Sequence, residues 1–258
     1  MNLFKRLYQY RELLKSNVKK EIRGKYKGSF LGLLWSFINP LLSVLIYAIV
    51  FPLILKNPQP NYVVFLIVAI IPWNFFVTVI NQGVNTVVIN GNIIKKVYFP
   101  REVLPISVVT SGLVNFFISC IIILCFILFG GMSLSPVMLL APLIALIQYM
   151  LSLGLLFALS AINVYIRDTE YIVNFIVSLL FYATPILYSS ELFKNTAFEW
   201  IMHINPLAHI INAYRDIFYY QQLPNFAILG IVGLISFIIL IVGYNIFKKL
   251  EKGFAEEL

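Results

Sequence analysis

Charged residues are almost absent from six long apolar stretches of this 258-residue chain and crowd into the gaps between them. The stretches run Phe30–Leu55, Tyr62–Ile80, Val103–Phe129, Val137–Ile162, Tyr171–Tyr188 and Phe226–Phe247. A helix rising about 1.5 Å per residue needs about 20 residues to cross about 30 Å of hydrocarbon, and each stretch is near or above that length. No soluble fold needs six such runs. The pattern therefore predicts an all-α polytopic membrane protein with six transmembrane helices. A hydrophobic fraction of 60% and a mean hydropathy of +0.90 agree.

The gaps predict orientation. With six spans, both termini share a side with the connections Asn81–Glu102 and Asn163–Glu170. That side holds sixteen of the nineteen lysines and arginines, leaving Lys56, Lys194 and Arg215 for the other. Such a bias places both termini in the cytoplasm. The net charge of +8 is then mostly a topology signal with some attraction to anionic headgroups, and nucleic acid is a poor reading of it. The 29 residues ahead of the first apolar run exceed a signal peptide's basic region, and no cleavage is expected. Cys120 and Cys125 lie five residues apart in one span and suggest packing, with no disulfide framework.

Residues 1–28 predict an amphipathic interface helix. Leu3, Leu7, Tyr10, Leu14 and Val18 recur at helical spacing, and most of the cations point elsewhere. A topogenic charge cluster would explain the cations but not the apolar stripe. Gly24, Gly28 and Gly32 follow at four-residue spacing, which suits either close helix approach or a bend into the span.

The connection at residues 81–102 carries the densest chemistry. Asn90-Gly91-Asn92 is a turn signal. Beyond it Ile93, Ile94, Val97, Tyr98 and Phe99 interleave with Lys95 and Lys96, and Pro100-Arg101 ends the run. Aromatic anchors with cationic edges suit docking on a partner, although a loop tucked under the bundle would also be apolar. The outward connection, residues 189–225, contains two short semi-apolar runs, Phe193–Ile204 and Pro206–Tyr220. Asn205-Pro206 reads as a helix N-cap followed by proline at the first helical position. Neither run can span, so a re-entrant or interfacial helical hairpin is expected, with Arg215 near its end. Trp200, Tyr214, Phe218, Tyr219 and Tyr220 also suit an interfacial aromatic belt.

No phosphate-binding loop of the G-x-x-x-x-G-K-[ST] type exists in the chain. His203 and His209 lack ligating companions, no catalytic residues can be argued, and no metal or cofactor is expected on this chain. No Asp, Glu, Lys or Arg lies in the middle of any span, so the energy for transport is expected from another subunit. What the spans do contain is aromatic and amide side chains. Tyr171, Phe175, Ser178 and Tyr182 share one face of the fifth span, and Phe30, Phe37, Tyr47 and Phe51 fall within about 100° on the first. Sugars stack on such faces, but so do neighbouring helices and lipid, and periodicity alone leaves both open.

Four blocks resemble permease subunits of type-2 ABC transporters that export lipid-linked polysaccharide. VKKEIRGKYKGSFLGLLWSFINPL is similar to the approach to their first span, and NIIKKVYFPREVLP to their coupling segment. INPLAHIINAYRDIFY resembles their outward segment, and IRDTEYIVNF the start of their fifth span. The resemblance spans nearly the whole chain as one transmembrane domain, residues 1–258. It implies a homodimer carrying two cytoplasmic ATPase subunits, which hold the ATP and magnesium. The implied substrate is an undecaprenyl-diphosphate-linked glycan, as in O-antigen, teichoic acid or capsule export. It also implies ATPase contact through Asn90, Ile93, Lys95, Lys96, Tyr98, Phe99, Pro100 and Arg101, and a passage lined by the first and fifth spans. The outward gate would involve Asn205, Pro206 and Arg215. Lys19, Lys20, Arg23, Lys25 and Lys27 would attract the diphosphate where substrate is admitted. Two other classes remain open: an ABC permease for drugs or small lipids, with a closed apolar pocket, and a membrane-embedded glycan-modifying enzyme, which needs a convergent acid or metal site.

Overall fold

The computed structural model describes residues 8–24, 30, 32–54, 59–193 and 196–258. Leu3, Leu7, Lys25, Lys27 and Gly28 lie outside the described residues, as do Lys56 and Lys194. The described residues are helical almost throughout: α1 Arg11–Gly24, α2 Trp35–Ile54, α3 Tyr62–Val84, α4 Thr86–Ile89, α5 Gly91–Lys96, α6 Val103–Phe129, α7 Ala141–Tyr165, α8 Thr169–Ala183, α9 Glu199–Ile204, α10 Pro206–Phe218, α11 Phe226–Leu250 and α12 Phe254–Glu257. Four stretches are long and apolar enough to cross a membrane: Tyr62–Val84, Val103–Phe129, Pro136–Tyr165 and Phe226–Glu257. Two shorter apolar helices, Phe37–Phe51 and Thr169–Ala183, correspond to the first and fifth apolar stretches. Phe30 precedes α2 and is fully exposed, so it does not share the helical stripe of Phe37, Tyr47 and Phe51.

The core is built on α3. It buries residues on every side of its first half, from Tyr62 to Trp73, against α2, α6, α7 and α10. A helix apolar all round belongs inside a bundle. The interior also carries a polar tie: the Gln148 side chain of α7 donates to the Pro72 carbonyl of α3 at 2.8 Å. The most extensive helix pair is α7 with α11. It meets backbone to backbone. A Cβ placed on Gly154 would lie 2.6 Å from the Leu240 backbone, and one on Gly243 would overlap the Gly154 carbonyl. Small residues at such crossings let main chains approach in a medium where hydrophobic drive between helices is weak.

The first helix, expected at the membrane interface, turns one face to its own chain over the described residues. Leu13, Leu14, Asn17, Val18, Glu21 and Ile22 of α1 are half-buried, and α1 packs on α6. Lys19, Lys20 and Arg23 stay exposed on the other face. At its start Lys15 donates to Glu12 at 3.0 Å, which holds the Glu12 carboxyl below its usual range. By contrast α8 buries only Thr169, Val173 and Val177, with Glu170, Leu180, Phe181 and Ala183 half-buried, and leaves the face of Tyr171, Ile172, Phe175, Ile176 and Leu179 exposed.

Candidate functional site

Between α3 and α6 the chain does not form an open turn. It forms two short helices broken at Asn85 and Asn90. Asn90 is buried and donates through its side chain to the Thr86 carbonyl at 2.7 Å, which ends α4 and starts α5. Asparagine offers the backbone this local alternative to helix continuation. After α5 the chain extends at Val97, and Pro100 keeps the residue before it out of the helical region.

Of the sequence-predicted anchors, Tyr98 is 92% exposed but Phe99 is only 8% exposed and belongs to the core. Phe99 is therefore packed against its own chain and is not the docking anchor expected of it; Pro100 is buried with it. The exposed apolar surface is instead Ile89, Ile93, Val97 and Tyr98, with Lys95 and Lys96 also exposed. Ile89, Ile93 and Val97 follow at four-residue spacing, and of these Ile89 lies outside the run expected to dock.

Three ties hold this segment. Lys20 of α1 donates to Asn90 Oδ1 at 3.4 Å. Asn85 donates to Glu170 Oε2 at 2.8 Å and accepts from Asn163 at 3.4 Å, while Asn163 Oδ1 accepts the Glu170 backbone N–H at 3.2 Å. This triangle joins the segment to the α7–α8 turn. Arg167 and Asp168 in that turn are exposed, and Asp168 makes no side-chain cap. The third tie is the C-terminal tail. Lys248 reaches the fully buried Glu102 at 3.1 Å and also pairs with Glu251. Arg101 donates to the Glu251 carbonyl, with its guanidinium 5.8 Å from the Phe254 ring centroid. Phe254 is fully buried, and the Leu258 side chain lies 3.4 Å from where a Gly91 Cβ would be. None of these distant partners is visible in local spacing; the buried acid beside the proline-ended run was the one available hint.

A cavity of about 380 Å³ opens between α2, α3 and α8. It joins Tyr47, Ser178 and Tyr182, three of the predicted passage residues, to Asn74, Asn81, Asn174 and Trp73. Phe181 links the aromatics, with ring centroids 5.9 Å from Tyr47, 5.7 Å from Trp73 and 5.3 Å from Tyr182. No charged residue lines it among the described residues. Phe51 stacks edge-on to Tyr47 at 6.0 Å and Phe37 is half-buried, both outside the cavity. Tyr171 and Phe175 are exposed on the α8 surface and do not line it either. Asn74 and Asn81 are seven residues apart on α3, two helical turns, as are the predicted Phe175 and Tyr182 on α8.

The predicted cap is present at the start of α10. Asn205 Oδ1 accepts the Leu207 N–H at 3.0 Å, with Pro206 at the first helical position. Its amide also donates to Thr184 Oγ1 at 2.9 Å and to the Ala183 carbonyl at 3.1 Å, fastening α10 to the end of α8. Arg215 is 2% exposed, so it is no free outward cation. It donates to the carbonyls of Pro185, Ile186 (2.7 Å) and Tyr188 (3.2 Å), with its guanidinium carbon 3.6 Å from the Phe65 ring centroid. Tyr214 and Phe218, expected in an aromatic belt, are core residues; Trp200 and Tyr220 remain exposed.

The ABC-2 type transporter family matches residues 12–219, more than half of the chain. The O-antigen export system permease protein RfbA of Myxococcus xanthus is 36% identical over 259 residues, covering all of both chains. Two proteins of the same name from Klebsiella pneumoniae are 39% and 37% identical, each covering 96% of this chain and 95% of the relative. With its apolar helices, this chain is a multi-pass membrane component of transport, a permease subunit rather than an enzyme, and it belongs to the ABC-2 type transporter family.

Proposed function

We propose that the chain is half of an ATP-driven exporter for an undecaprenyl-diphosphate-linked polysaccharide of the O-antigen or teichoic acid class, in the bacterial cytoplasmic membrane. The observation that carries this reading is the end-to-end similarity to O-antigen export permeases. The cavity of aromatics and amides supports it, since sugars stack on one and hydrogen-bond to the other. In this reading α2, α3, α6, α7, α8 and α11 are six spans, both termini are cytoplasmic, and α9–α10 is a re-entrant hairpin whose Asn205, Pro206 and Arg215 shape the outward gate. Two copies meet across the uncovered α2 and α8 faces, which enclose the passage. Lys19, Lys20 and Arg23 draw the diphosphate to the membrane surface, joined by Lys25 and Lys27, which lie outside the described residues. Two ATPase subunits seat on Ile89, Ile93, Val97 and Tyr98. Their closure moves the segment at residues 85–100, and its ties to α1, the α7–α8 turn and the tail carry that motion into the bundle.

Tyr98→Ala tests the docking surface. Removing an exposed aromatic anchor commonly costs about 2 kcal/mol or more of interface energy. The variant should insert normally, co-purify with less ATPase and export less polymer. Phe99→Ala should instead lower thermal stability, because that ring is part of the core. Equal ATPase association by Tyr98→Ala and the parent would remove the docking assignment.

The passage is tested by Tyr182→Leu. Leucine keeps much of the apolar volume and removes the stacking face and hydroxyl, so stability should change by less than about 1.5 kcal/mol while export of long polymers slows. A polar thiol reagent should label cysteine at Ser178 or Tyr182 and spare Val173, which is buried. Loss of stability without a selective transport defect would mark α8 as a packing helix.

A further inference from the structure

The cavity between α2, α3 and α8 is walled by matched faces of two helices. Val77 and Asn81 line it from α3, and Ser178 and Asn174 from α8. Each pair is four residues apart, one turn on one helix face. One further turn along each helix brings Asn85, at the end of α3, and Glu170, in the first turn of α8. These two do not line the cavity. Here the walls meet, because the Asn85 side-chain amide donates to Glu170 Oε2 at 2.8 Å. The ladder of facing residues thus ends in a closed rung.

Asn163 braces this rung from α7. Its amide donates to Asn85 Oδ1 at 3.4 Å, and its Oδ1 accepts the Glu170 backbone N–H at 3.2 Å. Asn163 is buried, on a helix whose backbone is in direct contact with α11. Asn85 also belongs to the docking segment, which begins there. Its carbonyl accepts the Ile89 N–H at 3.0 Å, and Ile89 is 70% exposed on the proposed docking face. A push on that face therefore reaches the closing pair through a single helical turn. The bond that closes it is one amide on one carboxylate, with both residues only half-buried. A charge-assisted bond of this kind is strong enough to favour contact, and its groups can return to water when it parts.

We infer that Asn85 and Glu170 form the cytoplasmic gate of this cavity, braced by Asn163, and that displacement of the docking segment opens it by drawing Asn85 away from Glu170. Glu170 acts as a positioning residue: it holds α8 against α3 and leaves contact with the glycan to the residues above it. The inference rests on the export reading, which supplies the orientation and the ATPase. The gate itself is built within one chain.

The test reads access to the cavity from the cytoplasmic side. The full-length chain, as C120S/C125S to remove both native thiols, carries Asn174→Cys as its sole cysteine in inside-out membrane vesicles. The probe is a membrane-impermeant methanethiosulfonate. Glu170→Ala should speed labelling of Asn174→Cys about tenfold or more, since a hydrogen bond to a charged group no longer favours the closed state. Asn85→Ala should do the same from the α3 side, and the two together should add little, because they remove one contact. Glu170→Gln keeps an acceptor oxygen and should stay within about threefold of the parent. Lys96→Cys, exposed on the docking segment, should label at one rate in every background, which separates an opened gate from a loosened fold. If Glu170→Ala does not insert, Asn85→Ala carries the test alone. Equal labelling of Asn174→Cys with and without the closing pair overturns the inference. A matching acceleration at Lys96→Cys overturns it too, in favour of a purely structural tie. Failure of the export reading is distinct, because labelling requires no polymer. It would be seen as no ATP-driven movement of lipid-linked polymer by the permease–ATPase complex in proteoliposomes.

Discussion

Arg215→Leu is expected to destabilise the protein by about 3–5 kcal/mol, because it strips a shared donor from three carbonyls in a buried stretch of chain. The carbonyls of Pro185, Ile186 and Tyr188 follow the end of α8, where helical hydrogen bonding has stopped. The guanidinium fork meets all of them at once, with its carbon over the Phe65 ring. Arg215→Lys keeps the charge but loses the planar fork, so it should recover only part of the loss. Thermal unfolding in detergent reads the stability, and limited proteolysis near residues 184–193 reads the release of the segment. A lysine variant as stable as the parent would show that the charge alone matters.

Lys248→Met should cost about 3 kcal/mol, near the low end for breaking a buried ion pair, because Glu102 is fully buried while the Lys248 side chain is 25% exposed. The damage should spread beyond stability. Glu102 immediately precedes α6, directly after the proposed docking segment, and Lys248 joins it to the tail. ATPase stimulation by substrate should therefore fall along with the unfolding temperature. The double variant Glu102→Gln/Lys248→Met removes both charges and should regain most of the stability. If it stays as unstable as the single variant, the pair is not the cause and the methionine has disturbed packing around Glu251 instead.

Much of this architecture is legible in the chain because its determinants are local. Charge exclusion over a helix length marks the apolar helices, and Asn205-Pro206 carries its own capping chemistry. The α1 stripe is equally local, and Leu14 and Val18 both lie on its half-buried side. Side-chain direction at element junctions is not. Tyr98 and Phe99 are adjacent aromatics with the same local chemistry, and only the position of the bundle decides that one faces out and the other in. Tyr214 and Phe218 likewise look interfacial until α3 and α6 are seen against them, with Phe116 lying 5.5 Å from the Tyr214 ring. The amide wall was within reach of helical arithmetic, since Asn74 and Asn81 sit seven residues apart on α3. The tail's grip on Arg101 and Glu102 was not, because it joins residues almost 150 positions apart.

The glycine contact between α7 and α11 has a mechanical consequence. Side chains that interlock can repack into a second arrangement, whereas two main chains in direct contact have no rotamers to exchange. Gly154 and Gly243 therefore make these helices a fixed axle, unable to slide past each other without separating altogether. Displacement during a transport cycle falls to elements with little holding them, and α8, which meets mainly α3 and α7, is loosely held within its own chain. In the export reading proposed above, the stationary and travelling parts of the machine would be divided within one chain: α7 with α11 as the frame, and α8, beside its amide-lined cavity, as the moving wall.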